Sequence, residues 1–191
     1  MNTPAHLILG AAVFARPDRP GVTAAALAGA LLPDLALYLL VGWAMVRGIE
    51  ARVIFDEMYF SDGWQGVFAV DNSIPLWAAA LAVGLWRGWP VLAAFAAAGL
   101  LHLGFDFALH HDDARRHFWP VSNWVFESPV SYWDRRHYGS FVAPLEIAVS
   151  LALCGVLWRR FRGRLARGLI ALAAAAETTP AIMFAVMFAQ G

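Results

Sequence analysis

The sequence predicts an all-α membrane protein, a polytopic bundle of about four or five transmembrane helices with a short N-terminal helix. Hydrophobic residues fill 60% of the 191 positions, charged residues only 15%, and nine residues are tryptophan. Soluble domains average roughly 45–50% apolar and about 25% charged residues. Tryptophan is typical of membrane–water interfaces. The chain, residues 1–191, is therefore predicted to form a single transmembrane helical domain.

Each predicted helix corresponds to an apolar segment, and crossing a bilayer takes ~20 residues. Segment 73–87 is short for a span and is expected to borrow a few residues upstream. Segment 4–15 is too short to cross alone, which predicts a partial, re-entrant or tucked helix. Four other segments are long enough, at residues 22–46, 89–109, 141–158 and 168–188.

The connections between these segments predict an orientation. Segment 159–167 carries five arginines and no acidic residue, so it is expected to be cytoplasmic. The two long polar loops, 47–72 and 110–140, then lie on the outer side of the membrane. Long loops of this kind are more often functional than simple connections.

Composition also excludes several classes of function. The net charge is zero, so no basic surface favours nucleic acid, and membrane lipids are the expected partners. Cys154 is the one cysteine, which excludes a disulfide framework and a cysteine-based zinc site. Any metal would therefore have only histidine and carboxylate side chains as protein ligands.

Ionisable residues inside the apolar segments are the main functional signal. Asp34 and Asp106 would each cost ~2.5–3.5 kcal/mol at a helix centre, so they are expected to face the bundle interior. His102, Asp106 and His110 follow each other at intervals of four and share one helical face. His110 is ~12 Å from His102 along the axis, so both can reach one ion only if the helix ends near Leu109.

The topology places these residues at one level in the outer half of the bilayer. His6 at the start of the first helix and Asp71-Asn72-Ser73 at the start of another span lie at the same level. This convergence predicts a single polar site that binds a metal or handles protons. His110 and His111 are either a loop cap or ligands. The candidate metal ligands are His6, Asp34, His102, Asp106, His110 and His111.

An ordered set of motifs over roughly residues 1–125 resembles the YdjM-type inner-membrane metal-dependent hydrolases. The set comprises His6, Leu31-Leu32-Pro33-Asp34, and His102-x3-Asp106 leading into His117-Phe118-Trp119-Pro120. The resemblance implies a small helical protein of the bacterial inner membrane that binds a divalent metal, with zinc the expected ion. It also implies hydrolysis of an ester or phosphoester, with lipid-like substrates among the candidates.

Further roles follow from this resemblance. Where the family continues with a second aspartate and a histidine, this chain has Leu35-Ala36-Leu37, and the loop His110-His111-Asp112 is expected to supply what is missing. Asp71 or Asp112 would act as the general base. Independently of the resemblance, the basic residues of the outer loop either lie at the membrane interface or bind an anionic head group or phosphate, namely Arg115, Arg116, Arg135, Arg136 and His137.

Two alternatives to a hydrolase stay open at this point. Small residues such as Ala24, Ala28 and Gly29 favour close helix approach, which suits an accessory or assembly subunit of a larger membrane complex. The apolar 168–188 helix would serve the same purpose. Buried aspartate and histidine also mark transport paths for protons or metal ions.

Overall fold

A computed structural model describes residues 1–189, with side chains through residue 179, and this part of the chain contains helices and no strands. The predicted all-α fold class is confirmed. A π-helical turn, Ile54–Met58, follows the third helix, and a 3-10 turn, Arg135–His137, precedes the seventh. The α-helices are α1 (Thr3–Phe14), α2 (Pro20–Val46), α3 (Ala51–Val53), α4 (Asp62–Asp71), α5 (Ile74–Trp86), α6 (Pro90–Leu109), α7 (Gly139–Arg160) and α8 (Arg164–Ala189).

Within the described part of the chain, four helical stretches are long and apolar enough to cross a membrane, namely α2, α6, α7 and the stretch Asp62–Trp86, which contains α4 and α5. Large apolar side chains on their outer faces are exposed, for example Leu39 at 64% and Phe141 at 77%. Such faces suit contact with lipid rather than water. The segment 168–188 lies within α8, and its side chains from residue 180 onward are outside the described part.

The 47–72 connection differs from the predicted polar loop because most of it is helical. It contains α3, the π-helical turn and α4, and α4 joins α5 in the single stretch Asp62–Trp86. The expectation that segment 73–87 borrows residues upstream is thereby confirmed. Ser61 caps α4 by accepting a hydrogen bond from the N–H of Trp64, and Ser73 caps α5 in the same way.

Helix α1 is tucked among α2, α6, α7 and α8. Glycine permits the closest approaches in this packing. A Cβ on Gly10 of α1 would lie 2.7 Å from the Cβ of Ala30, and a Cβ on Gly29 of α2 would overlap the carbonyl group of Phe95 in α6. Small residues let transmembrane backbones approach in this way. The packing therefore brings the polar residues of α1, α2 and α6 within contact distance.

The loop after α6 packs on the break between α4 and α5. His117 accepts a hydrogen bond from the N–H of Ile74 through its carbonyl, at 2.8 Å, and Ser73 donates to the carbonyl of Trp119. Burial lowers the pKa of His117, which favours the neutral ring. Its Nδ1 lies 3.1 Å from the carbonyl oxygen of Asn72 and donates to it.

Candidate metal centre

Helices α1 and α6 bring two imidazole rings together beside one carboxylate. The rings of His6 and His102 stack with centroids 3.5 Å apart and planes 9° from parallel. His6 Nε2 lies 2.9 Å from Asp106 Oδ1, and His102 Nε2 lies 3.0 Å from Asp106 Oδ2. All three side chains are buried, and one ligand atom from each lies within 4.8 Å of the others. This buried group could hold a metal ion.

A backbone carbonyl fixes the orientation of His102. Its Nδ1 lies 2.7 Å from the carbonyl oxygen of Ala30, which can only accept a hydrogen bond, so Nδ1 carries the proton. Pro33 disturbs the helical hydrogen bonding of this turn because it lacks an N–H and its ring crowds the carbonyl of Gly29. Metal-binding histidines commonly donate their other ring N–H to such a group.

Asp34 borders the two rings from α2. Its Oδ1 lies 3.6 Å from His102 Nε2, and its Oδ2 accepts a hydrogen bond from the Thr3 hydroxyl at 2.5 Å. The Thr3 hydroxyl also lies 2.8 Å from the hydroxyl of Tyr38, one helical turn after Asp34. These hydroxyls hold the carboxylate in place at the edge of the site.

The end of α6 at Leu109 brings His110 into the same group. His110 Nε2 lies 3.2 Å from Asp106 Oδ1, and its Nδ1 lies 3.0 Å from Asp113 Oδ2. Burial lowers the pKa of His110, but the carboxylates of Asp106 and Asp113 outweigh burial, and the net effect raises the pKa. The amino nitrogen of Met1 lies 3.3 Å from the same oxygen of Asp106. We call His6, Asp34, His102, Asp106 and His110 the His/Asp cluster.

The donor atoms of the His/Asp cluster fit a divalent metal. Because His102 carries its proton on Nδ1, the lone pair of Nε2 points at the carboxylates of Asp106 and Asp34. Lone pairs face each other stably only when a proton or a metal ion lies between them. A proton on His102 or a divalent ion would meet this condition, and an ion would bind the neutral imidazoles and the ionised carboxylate together.

Distances within the cluster agree with this interpretation. The nitrogen–oxygen separations of His6 and His102 from the two carboxylates run from 2.9 to 3.6 Å. Ligand atoms of a tetrahedral zinc lie ~3.3 Å apart when the metal–ligand bonds are ~2.0–2.1 Å. A small shift of the side chains would therefore suffice to accommodate an ion.

A cavity of about 690 Å³ opens onto the His/Asp cluster. Asp34 and His110 line it from the cluster side, and Asp112 and Arg115 line it from the loop after α6. Its volume lies within the ~300–1,000 Å³ range of pockets that hold small molecules. The remaining wall includes two further carboxylates, Asp56 and Asp113, and six aromatic residues, Tyr38, Phe55, Tyr59, Phe60, Tyr132 and Trp133.

Arg115 is the one arginine that lines this cavity. Its guanidinium lies over the rings of Phe68 and Tyr59, 4.1 and 4.9 Å from their centroids. The residue is 7% exposed, and its Nη1 is buried without a hydrogen-bond partner among the described residues. A buried guanidinium donor without a hydrogen-bond partner is costly, and the chemistry of the group suits an anionic oxygen.

The structure brings five of the six predicted metal ligands together and separates the sixth. His111 turns away, with its Nδ1 2.8 Å from the carbonyl oxygen of Ser128 and its ring stacked on His137 at 3.7 Å. Of the two predicted bases, Asp112 lines the cavity. Asp71 is outside that lining, and its carbonyl accepts a hydrogen bond from the indole of Trp77.

Three residues at the site escaped the sequence analysis. Asp113 lies three residues after His110, a spacing that indicates a possible pair only once the end of α6 is known. Thr3 gives no signal because its partner, Asp34, is on another helix. Glu146 of α7 contacts the site indirectly, by accepting a hydrogen bond from the N–H of Asn2 at 2.8 Å.

Comparison of the chain with protein-family models, with curated proteins and with solved structures finds no match. The functional argument therefore depends on the site itself.

Proposed function

We propose that this protein is a metal-dependent hydrolase of the bacterial inner membrane that acts on a carboxylic ester or a phosphoester. The observation that carries the proposal is the buried group of His6, His102 and Asp106, whose neighbours Asp34 and His110 line a cavity that Arg115 also lines. A metal position next to an anion-binding donor is the arrangement that ester and phosphoester hydrolysis needs. The motif resemblance to the YdjM-type hydrolases supports the same conclusion.

In this proposal the chain supplies ligands, a base and an anion-binding group. His6, His102 and Asp106 hold the ion, with Asp34 and His110 at its border. A bound divalent ion supplies Lewis acidity and lowers the pKa of water toward ~7. Nitrogen-rich sites of this kind suit zinc.

The reaction is a hydrolysis in which water is the co-reactant. The oxygen of water bonds to the carbonyl carbon or the phosphorus, and the bond to the leaving alkoxide oxygen breaks. The water proton passes to Asp112 and then to the leaving alkoxide, which departs as an alcohol. Arg115 holds the anionic oxygens of the substrate during this exchange.

The arginines set the proposed orientation. The five arginines of segment 159–167 place that end of α7 and α8 in the cytoplasm. The loop after α6 lies at the other end of the bundle, so the cavity faces the outer side of the membrane.

Elemental analysis of protein purified in detergent tests the proposal. We expect about one equivalent of zinc or another divalent metal, because one cluster offers one set of ligands. His102→Ala should remove this metal and the hydrolysis of 4-nitrophenyl acetate or bis(4-nitrophenyl) phosphate. His111→Ala is the matched control, since His111 points away from the cluster, and it should keep both.

The proposal fails if purified protein contains no stoichiometric metal. It also fails if a chelator and His102→Ala both leave the hydrolysis of these two substrates unchanged.

A further inference from the structure

A second cavity, lined almost entirely by apolar residues, lies along α1. It is a groove of about 510 Å³ between α1, α2, α7 and α8. Its walls are almost entirely aliphatic, with Leu7 and Ala11 from α1, Ala28 from α2, Leu157 from α7 and Ala173 from α8. No arginine, lysine or carboxylate lines it. The groove can therefore hold a hydrocarbon chain but offers nothing to a charged ligand.

The apolar groove and the polar cavity are neighbours. Pro4 of α1 and Ala176 of α8 line both of them. From Pro4 the groove follows α1 as far as Ala15. Eleven helical steps of ~1.5 Å make this distance about 16 Å. A molecule that passes Pro4 and Ala176 would therefore reach from the cavity into the groove.

The contrast between the two compartments defines the chemistry of that molecule. One end meets Arg115, Asp34 and His110, and the other meets an almost entirely apolar lining. We infer that the substrate is an amphipathic lipid whose hydrocarbon chain lies in the groove while its ester or phosphoester group occupies the cavity. This inference rests on the proposed function and adds the substrate class to it.

The groove fixes the position of the bound substrate more than it increases the affinity for it. Lipid tails are as apolar as leucine, so moving a chain from the bilayer into the groove gains little hydrophobic energy. A chain seated along α1 does, however, fix where the attached head group lies. Holding the reacting group beside the His/Asp cluster is the contribution that accelerates its hydrolysis.

Two alanines of α2 provide a matched test. Ala28 and Ala24 are both exposed on the same helix, but only Ala28 lines the groove. Ala28→Phe should fill the groove without disturbing a packed core, and Ala24→Phe adds the same ring outside it. Four substrates share the chromogenic 4-nitrophenol leaving group and form two pairs. The ester pair is 4-nitrophenyl acetate and 4-nitrophenyl palmitate, and the phosphoester pair is 4-nitrophenyl methyl phosphate and 4-nitrophenyl hexadecyl phosphate.

We expect Ala28→Phe to lower kcat/KM for the long-chain member by about tenfold or more, because a misplaced reacting group loses up to ~10²-fold. The short-chain member should change less than about twofold, since it does not reach the groove. Ala24→Phe should leave both rates as in the natural protein, measured in the same detergent micelles.

The inference is overturned if Ala28→Phe lowers both rates equally, which would indicate a general structural effect, or if it lowers neither. Metal-dependent hydrolysis of the short substrate would in either case leave the proposed function standing. Absence of hydrolysis of all four substrates by metal-loaded protein would instead overturn the proposed function, and the inference with it.

Discussion

Two sets of buried ionisable side chains lie in this bundle, and they are built differently. In the His/Asp cluster, imidazole nitrogens face carboxylate oxygens at 2.9–3.6 Å. In the second set, the carboxyl group of Glu177 in α8 lies next to that of Glu146 in α7. Both oxygens of Glu177, Oε2 of Glu146 and the hydroxyl of Ser150 are buried without a partner among the described residues.

The difference between the two sets shows which features distinguish a metal site from other buried ionisable side chains. The second set consists of acceptors and one hydroxyl, and neither carboxyl group lines the cavity or the groove. Two carboxyl groups can be buried side by side only if they share a proton or a cation. The His/Asp cluster instead offers imidazole nitrogens beside carboxylate oxygens, and two of its five members, Asp34 and His110, line the cavity. Burial alone therefore does not make a metal centre.

Asp106→Asn should have the largest effect on metal binding. Asp106 is the carboxylate that both stacked rings and His110 face, and an amide replaces one of its oxygens by a donor. The metal affinity should fall by more than the ~10–100-fold that is typical of losing an outer partner. Zinc titration of metal-stripped protein by calorimetry measures this change.

Glu146→Gln is the matched control for Asp106→Asn. It makes the same change from acid to amide in the second set, and zinc affinity should stay that of the natural protein because the glutamine oxygen can still accept the hydrogen bond from Asn2. Equal losses in the two variants would mean that buried carboxylates support the fold in general and that the His/Asp cluster is not a distinct site.

Gly29→Ala should have the next largest effect, although Gly29 touches no ligand. The added Cβ meets the backbone of Phe95, so α2 must move away from α6. That movement lengthens the hydrogen bond between His102 and the carbonyl of Ala30, which orients the ring. We expect zinc affinity to fall by about 10–100-fold, as for other losses of outer partners.

Gly42→Ala tests whether the loss comes from helix contact. Gly42 lies in the same helix, and a Cβ there has no heavy atom within 4 Å. This substitution should keep zinc affinity and raise helix stability by about 1 kcal/mol. If both glycine variants bind zinc as the natural protein does, the α2–α6 contact does not position His102.

Most helices could be predicted because a transmembrane helix can be recognised from its apolar composition alone. The predicted segments 22–46 and 89–109 match α2 and α6 within two residues at each end. Helix α4 was missed because it begins with Asp62 and contains Gln65, so its ten residues alone do not look like a span. Helix α4 is part of a membrane span only because α5 follows it directly.

The part of the site formed by residues at the same depth in the membrane could be predicted from the sequence. The part that depends on the conformation of a loop could not. His6, Asp34 and His102 lie on three helices at one level, and their convergence follows from topology. His111 is separated from the site because its ring contacts the carbonyl oxygen of Ser128, seventeen residues further along the chain, whereas His110 stays in the cluster. No periodicity in the sequence records that contact.

Glu177→Gln should have the smallest effect and completes the comparison. The amide N–H₂ of glutamine can donate to the carboxylate of Glu146, so it replaces the shared proton or cation that the natural pair needs. Zinc content should not change, and the free energy of unfolding should rise by about 1 kcal/mol or less, the usual net contribution of one hydrogen bond. Thermal unfolding in detergent, with Glu127→Gln in the exposed loop as the control, measures this difference.

A loss of bound zinc in Glu177→Gln would join the two sets into one functional unit, because the pair would then support the metal site through Glu146 and the N–H of Asn2.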